Sequence, residues 1–311
     1  MTELAIDARG LTKIFGFRRG IDSVDMVVEP AQIYGFLGPN GAGKTTTIRI
    51  LMGLYRPGRG SAWVLGHDCQ TEAVAVHRRT GYLPGELVLP TALTGRDLLT
   101  RLARARGLVD TTYRDALVER FEVELDRPIR ALSKGNRQKI GLVAAFMHRP
   151  DLLVLDEPTS GLDPLLQEEF SDLLRETAAD GRTVLLSSHD LAEVQRVVHR
   201  LSIIKEGKIV VSGTVDELRA HAPRTLEVTF DHSVTADRFS GLDGLRVIEL
   251  TPNRLRLFVS GPIAPSLKAV AALGPIDLEA RPADLDELFL GYYRDAGTPG
   301  TTGEKKVSRA A

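Results

Sequence analysis

Four short stretches hold the residues best suited to phosphate chemistry. The first is GPNGAGKT, residues 38–45. It fits the pattern G-x-x-x-x-G-K-[ST], with an apolar strand before it and a helix after it. Gly38, Gly41 and Gly43 let backbone N–H groups close around phosphate oxygens without a Cβ in the way. Pro39, Asn40 and Ala42 complete the loop. The helix that follows turns its positive end toward the same oxygens. Lys44 places a point charge on the β and γ phosphates of a nucleoside triphosphate, Thr45 offers a hydroxyl to Mg²⁺, and Thr46 reaches a phosphate oxygen.

The second stretch, LLVLDEPTSGLD, residues 152–163, runs a buried apolar strand into two carboxylates. The strand is expected beside the one that feeds the phosphate loop, with its C-terminal end facing the nucleotide. Asp156 would then hold Mg²⁺ through water, and Glu157 would polarise the attacking water. The third, TVLLSSHD, repeats the arrangement with His189 at the strand exit, where a neutral imidazole can bind the γ-phosphate and orient the water. His67, His77, His148, His199, His221 and His232 read as surface or packing residues. The fourth, LSKGNRQK, residues 132–139, opens a helix whose apolar face is Ile140, Val143, Ala144 and Met147. Ser133 stands at its N-cap, so this is a second anion-binding helix end in one chain.

The elements that must position these residues are legible as alternating patterns. The first thirty residues read as strands, ended by Pro30, and IYGFLG is the short strand feeding the phosphate loop. KTTTIRILMG is a helix closed by Gly53, and SAWVLG is another strand. From about Leu87 to Met147 the period turns helical. LLQEEFSDLLRETAADG is an amphipathic helix, LAEVQRVVHR a further helix, and LSIIKEGKIVVSG a hairpin. Strands alternating with helices indicate a mainly parallel sheet. Near residue 220 the texture changes: TLEVTF, LRVIEL and RLRLFVS alternate like half-buried strands, APSLKAVAALG reads as a helix, IDLEA as a strand, and Asp284 and Glu287 open the helix DELFLGYY. The expected layout is a cassette over 1–219 with a helical subdomain at about 87–148, an α/β accessory domain over 220–295, and a disordered tail over 296–311.

Bulk properties narrow the function. The chain of 311 residues is long enough for two domains. Forty basic residues against 41 acidic ones give a net charge of −1, which counts against a nucleic-acid binder. Cys69 is the single cysteine, so no intrachain disulfide and no cysteine-built metal site can form, which fits a reducing compartment. No apolar run approaches the ~20 residues of a membrane helix, and the N-terminus carries no signal pattern. A role at a membrane requires a partner.

Together the motifs resemble the nucleotide-binding subunits of ABC transporters, over residues 4 to about 215. The resemblance implies an α/β P-loop NTPase fold: a RecA-like parallel sheet core, an N-terminal antiparallel β subdomain, a helical insertion carrying the signature, and the small C-terminal α/β domain. GPNGAGKT matches the Walker A loop, LLVLDE the Walker B strand, SGLD the D-loop and SSHD the switch histidine. Phe15 matches the aromatic residue that stacks on adenine. LSKGNRQK takes the signature position, where the family consensus is close to LSGGQ; Lys134 replaces the first glycine and Asn136 the glutamine. The resemblance also explains the second anion site. In the family the signature caps the γ-phosphate held by a second subunit, so Ser133 and Gly135 are expected on the ATP of the partner, and two subunits, a homodimer in preference to a heterodimer, enclose two ATP molecules with Mg²⁺. One position departs from the pattern. Gly85, followed by Glu86, stands where the family carries a glutamine that senses the γ-phosphate. Leu87, Val88 and Leu89 of the same loop are candidates for docking a membrane partner.

One cassette per chain, no coiled-coil insertion and no apolar span leave a stand-alone ATPase subunit, peripheral on the cytoplasmic face of the cell membrane, that docks on a separate multi-spanning permease. The SKGN variant and the end DLDELFLGYY resemble the branch serving bacterial drug and antibiotic exporters. The accessory domain has two open readings: support of dimerisation or regulation, and packing against its own cassette. The competing function is a soluble ATP-driven switch acting on nucleic acid or on a protein complex.

Overall fold

The computed structural model describes residues 3–16, 18–221, 224–235, 245–259 and 263–282. The expected helix DELFLGYY and the tail over 296–311 lie outside them. The chain divides into two compact units, Met1–Val215 and Asp216–Ala311.

The first unit is built on two sheets. Strands β1 (Ile6–Phe15), β2 (Arg18–Val28), β4 (Arg59–Val64) and β5 (His67–Asp68) form an antiparallel sheet in the order β2-β1-β4-β5. Strands β3 (Ile33–Leu37), β6 (Thr80–Leu83), β7 (Leu152–Asp156), β8 (Thr183–Ser188), β9 (Arg200–Lys205) and β10 (Lys208–Thr214) form the second sheet, in the order β10-β9-β3-β8-β7-β6. All its pairings are parallel except the β9–β10 hairpin. Strands β3, β7 and β8 are buried along their whole lengths. That is why they read as continuous apolar runs: both faces of a parallel sheet are covered. One core, including Ile6, Leu11, Val24, Phe36, Ile48 and Val154, joins the two sheets through helix α1 (Lys44–Leu51).

The other α-helices of this unit are α2 (Ala73–Arg79), α3 (Gly95–Ala105), α4 (Thr112–Arg120), α5 (Lys134–Phe146), α6 (Pro164–Ala179) and α7 (Leu191–Val194), and α8 (Val215–His221) starts at its last residue. Thr94 and Asp97 close a capping box on α3. Asp163 caps α6, with Pro164 at its first position. Gly53, at φ +65°, follows α1 as expected of a left-handed cap.

Two expectations need correction, and two elements were not anticipated. The strand of Asp156, β7, does not lie beside β3; β8 separates them. The register sets Leu37 beside Ser188 and Ser187 beside Asp156, so the three strands end level. Small serines at the end of β8 leave the Asp156 carboxylate room to reach across. Next, LAEVQRVVHR is helical only over Leu191–Val194 and continues as turns. Finally, α2 and β6 went unread, because AVAVHRR and TGYL are too short to show a period.

In the second unit, β11 (Arg224–Thr229), β12 (Leu245–Thr251), β13 (Arg254–Val259) and β14 (Asp277–Pro282) form an antiparallel sheet in the order β12-β13-β11-β14. Helix α9 (Ile263–Ala271) contributes Val270 to a core with Leu226, Val228, Leu255, Leu257 and Val259. No helix among the described residues is long and apolar enough to cross a membrane.

His148 makes the first unit acid-sensitive. Its Nε2 donates to the carbonyl of Thr80 at 3.3 Å, which leaves Nδ1 buried without a partner. Burial, and then the nearby Arg106, lower its pKa to about 4. The unfolded chain therefore binds a proton that the folded one refuses, and stability falls as pH drops from about 6.5 to about 4. Full linkage would make this worth about 3 kcal/mol, and solvent reaching the half-buried ring reduces it to on the order of 1–2 kcal/mol. His148→Gln should flatten the melting temperature over that window; a profile parallel to the wild type would refute the assignment.

Candidate functional site

The phosphate loop lies where β3 ends and α1 begins, and its shape depends on glycines. Gly43 sits at φ +116°, and a Cβ there would lie 2.7 Å from Ile21 Cγ2 and 2.9 Å from the carbonyl of Gly20. Gly41, at φ +79°, faces open space instead. The loop is thus packed tightly on its protein side and leaves free volume on the other. A cavity of about 350 Å³ opens there, lined by Phe15, Gly20, Glu157 and the loop residues Pro39, Asn40, Gly41, Gly43, Lys44, Thr45 and Thr46. Lys44 is buried, and its Nζ donates to the carbonyls of Gly38 at 2.6 Å and Pro39 at 3.3 Å. Phe15 stands at the end of β1, 43% exposed, edge-on to Tyr55 at 5.6 Å between ring centres.

The carboxylates come from the end of β7. Asp156 is fully buried. Its Oδ2 accepts from Thr45 Oγ1 at 2.8 Å and its Oδ1 from Ser187 Oγ. Tyr82 lies near it, and burial followed by the Asp156 charge pushes the Tyr82 phenol up, so it stays neutral. Glu157 has a left-handed backbone, φ +51°, a costly state for a residue with a Cβ. It is held by its N–H, which donates to both the carbonyl and the hydroxyl of Ser187, each at 3.2 Å. The Glu157 carboxylate bridges two sequence-predicted residues. Its Oε1 lies 3.1 Å from Lys44 Nζ, an ion pair out of line for a hydrogen bond, and its Oε2 accepts from His189 Nδ1 at 2.7 Å. Sequence reasoning missed Ser187, which holds both carboxylate residues. The signal was available: two serines closing an otherwise apolar strand.

The signature residues do not join this cluster. Ser133 is exposed and caps α5, accepting from the N–H of Asn136 at 3.1 Å. Neither Ser133 nor Gly135 lines the cavity. Asn136, at the family's glutamine position, turns inward: its Oδ1 accepts from Glu124 N–H and its Nδ2 donates to Glu124 C=O, each at 2.8 Å. Lys134 Nζ donates to Ser160 Oγ at 3.3 Å. Gln138 donates to the carbonyl of Pro158 at 3.0 Å, and a Cβ on Gly135 would lie 2.9 Å from the carbonyl of Gly161. The first two turns of α5 are therefore fastened to the segment that follows Glu157.

Comparison with known proteins gives the family. A model of the ABC transporter family matches residues 21–160. The daunorubicin resistance ATP-binding protein DrrA3 of Streptomyces coeruleorubidus is 35% identical, covering 95% of this chain and 98% of that protein. The chain belongs to the ATP-binding subunits of ABC transporters. This ABC subunit is 33% identical to the Nod factor export ATP-binding protein I of Burkholderia pseudomallei, over 93% of the chain and 97% of the relative. A solved ATP-binding subunit of an ABC transporter superposes with a TM-score of 0.65 at 31% identity, covering 70% of this chain and 92% of that one. A dimeric ABC cassette bound to ADP and Pi shares the fold at 20% identity, with a TM-score of 0.60 over 68% of this chain and 98% of that one. The ABC subunit binds ATP and is an ATPase.

Proposed function

We propose that the chain powers an exporter: two copies close head to tail on two ATP molecules, and their cycle drives a separate multi-spanning permease. The observation that carries this reading is the split of the anion-binding groups. Lys44, Thr45, Asp156, Glu157 and His189 form one connected cluster, while Ser133 presents an exposed helix end outside its cavity. A second copy brings the missing half.

Within each site, Gly38–Thr46 backbone groups and Lys44 hold the phosphates, and Phe15 packs against adenine. The donor set suits Mg²⁺: a hydroxyl and a fully buried carboxylate oxygen lie 2.8 Å apart at a helix start. No group of three or more His, Cys, Asp or Glu side chains among the described residues is placed to hold a metal ion by itself, so the remaining ligands would be phosphate oxygens and water. Bound there, Mg²⁺ would neutralise charge on the β and γ phosphates. Glu157 accepts a proton from the attacking water, and His189, which meets Glu157 through Nδ1, donates to the γ-phosphate from Nε2 when the ring proton sits on that nitrogen. A phosphate on Lys44 competes with the Glu157 carboxylate and frees it for the water.

The named relatives serve daunorubicin resistance and Nod factor export, which supports a drug, antibiotic or other amphiphile as cargo and a peripheral place on the cytoplasmic face of the membrane. The test is affinity purification of the tagged Glu157→Gln form from mildly solubilised membranes with ATP and Mg²⁺. A multi-spanning protein in fixed ratio is expected. Recovery of ribosomal, nucleic-acid or only soluble partners would instead favour the soluble switch.

A further inference from the structure

One hydroxyl stands between the two carboxylate residues of the site. Ser187 lies in β8, in register with Asp156 of β7, and is fully buried. Its Oγ meets Asp156 Oδ1 on one side and the backbone N–H of Glu157, at 3.2 Å, on the other. The directions of these two bonds are forced. A backbone N–H can only donate, so Oγ accepts from Glu157. A serine hydroxyl carries one proton, and that proton is left for Asp156. The chain of bonds runs from Glu157 N–H through Ser187 to the Asp156 carboxylate.

Each end of that chain sets one part of the chemistry. At Asp156, both oxygens accept from a hydroxyl, Oδ1 from Ser187 and Oδ2 from Thr45 at 2.8 Å. Donors from two different elements, β8 and α1, fix the rotation of this short side chain. At Glu157 the backbone is left-handed, φ +51°, a state that persists only where the surroundings over-determine it. Its N–H has two acceptors, the carbonyl and the hydroxyl of the same Ser187, each at 3.2 Å. From that backbone the Glu157 carboxylate meets Lys44 and His189. Without the hydroxyl, Asp156 Oδ1 loses the Ser187 donor and Glu157 N–H keeps only the carbonyl. Because Ser187 is buried, solvent does not stand in for the lost partner.

We propose that Ser187 is a positioning residue that ties the metal carboxylate to the catalytic one: a single hydroxyl sets the rotation of Asp156 and the backbone of Glu157, so metal binding and the chemical step depend on it together. This rests on the reading that Asp156 and Thr45 hold Mg²⁺ and that Glu157 takes the proton from water.

The test compares two pairs of full-length proteins, wild type with Ser187→Ala and Ser187→Thr with Ser187→Val. Within each pair the hydroxyl is present in the first member and absent from the second. The second pair adds the same bulk to a buried site, so the cost of crowding cancels. Mn²⁺ affinity is read by electron paramagnetic resonance with a non-hydrolysable ATP analogue bound. Loss of the hydroxyl should weaken it ~10-fold or more in each pair, the scale of an outer-shell partner. Turnover at saturating ATP should fall by about 10-fold as well, and excess metal should not restore it, because the Glu157 backbone is released too. Nucleotide affinity in EDTA should stay near the wild-type value, since Ser187 does not line the cavity. If Ser187→Ala does not fold, the threonine and valine pair decides. A serine with a merely structural role would change the melting temperature alone. Unchanged Mn²⁺ affinity without the hydroxyl, Ser187→Val equal to Ser187→Thr, or turnover restored by excess metal would overturn the proposal. Two further variants separate the levels. Mn²⁺ affinity kept in Asp156→Asn, or turnover kept in Glu157→Gln, would sink the underlying reading and this inference with it. Losses in both, beside unaffected hydroxyl-free variants, would sink this inference alone.

Discussion

Glu157→Gln should lower ATP turnover by ~10²–10⁴-fold, the usual worth of a positioned general base, while ATP binding is kept or tightened. The substitution is nearly isosteric. The amide oxygen can still accept from His189 Nδ1, so the imidazole keeps its orientation. The lost group is the negative charge 3.1 Å from Lys44 Nζ. That charge competes with an incoming phosphate for the buried lysine, so its removal favours nucleotide on the same lysine. Hydrolysis fails because an amide cannot take a proton from water. Phosphate release under saturating ATP and equilibrium binding of a fluorescent ATP analogue separate the two effects. Turnover close to wild type would remove the assigned role of Glu157.

Ser133→Arg should abolish hydrolysis, by ~10²-fold or more, the cost of losing one donor aimed at developing phosphate charge. The same variant should leave the ATP affinity of the isolated subunit within about twofold. The two effects separate because Ser133 lies outside the cavity of its own chain. The local price is one N-cap hydrogen bond to Asn136, about 1 kcal/mol. Ser133→Asn keeps a capping side chain without arginine's bulk, so it distinguishes cap loss from a blocked interface. A wild-type rate in Ser133→Arg would mean that the helix end is only a capped helix start.

The grouping of the site residues was legible because it depends on residue types at strand ends and in one glycine loop. Lys44, Thr45, Asp156, Glu157 and His189 fall into one cluster, as their places after β3, β7 and β8 implied. The order of those strands was not legible. Register and crossover decide it, and three buried apolar strands look alike in sequence, so β7 was set beside β3 when β8 intervenes. Local contacts were equally hidden. Nothing in LSKGNRQK says that Asn136 turns inward to Glu124, or that Lys134 reaches Ser160. The accessory unit showed its strands clearly, since half-buried antiparallel strands alternate.

The most direct test of the two-chain site is the solution mass of the Glu157→Gln protein by light scattering, with and without ATP and Mg²⁺, beside the Glu157→Gln/Ser133→Arg double variant. A dimer that forms only with ATP, and that the second substitution returns to monomer although ATP still binds, is the expected result. A monomer under all conditions, or a dimer indifferent to both ATP and Ser133→Arg, would contradict a site completed by the signature helix of a partner.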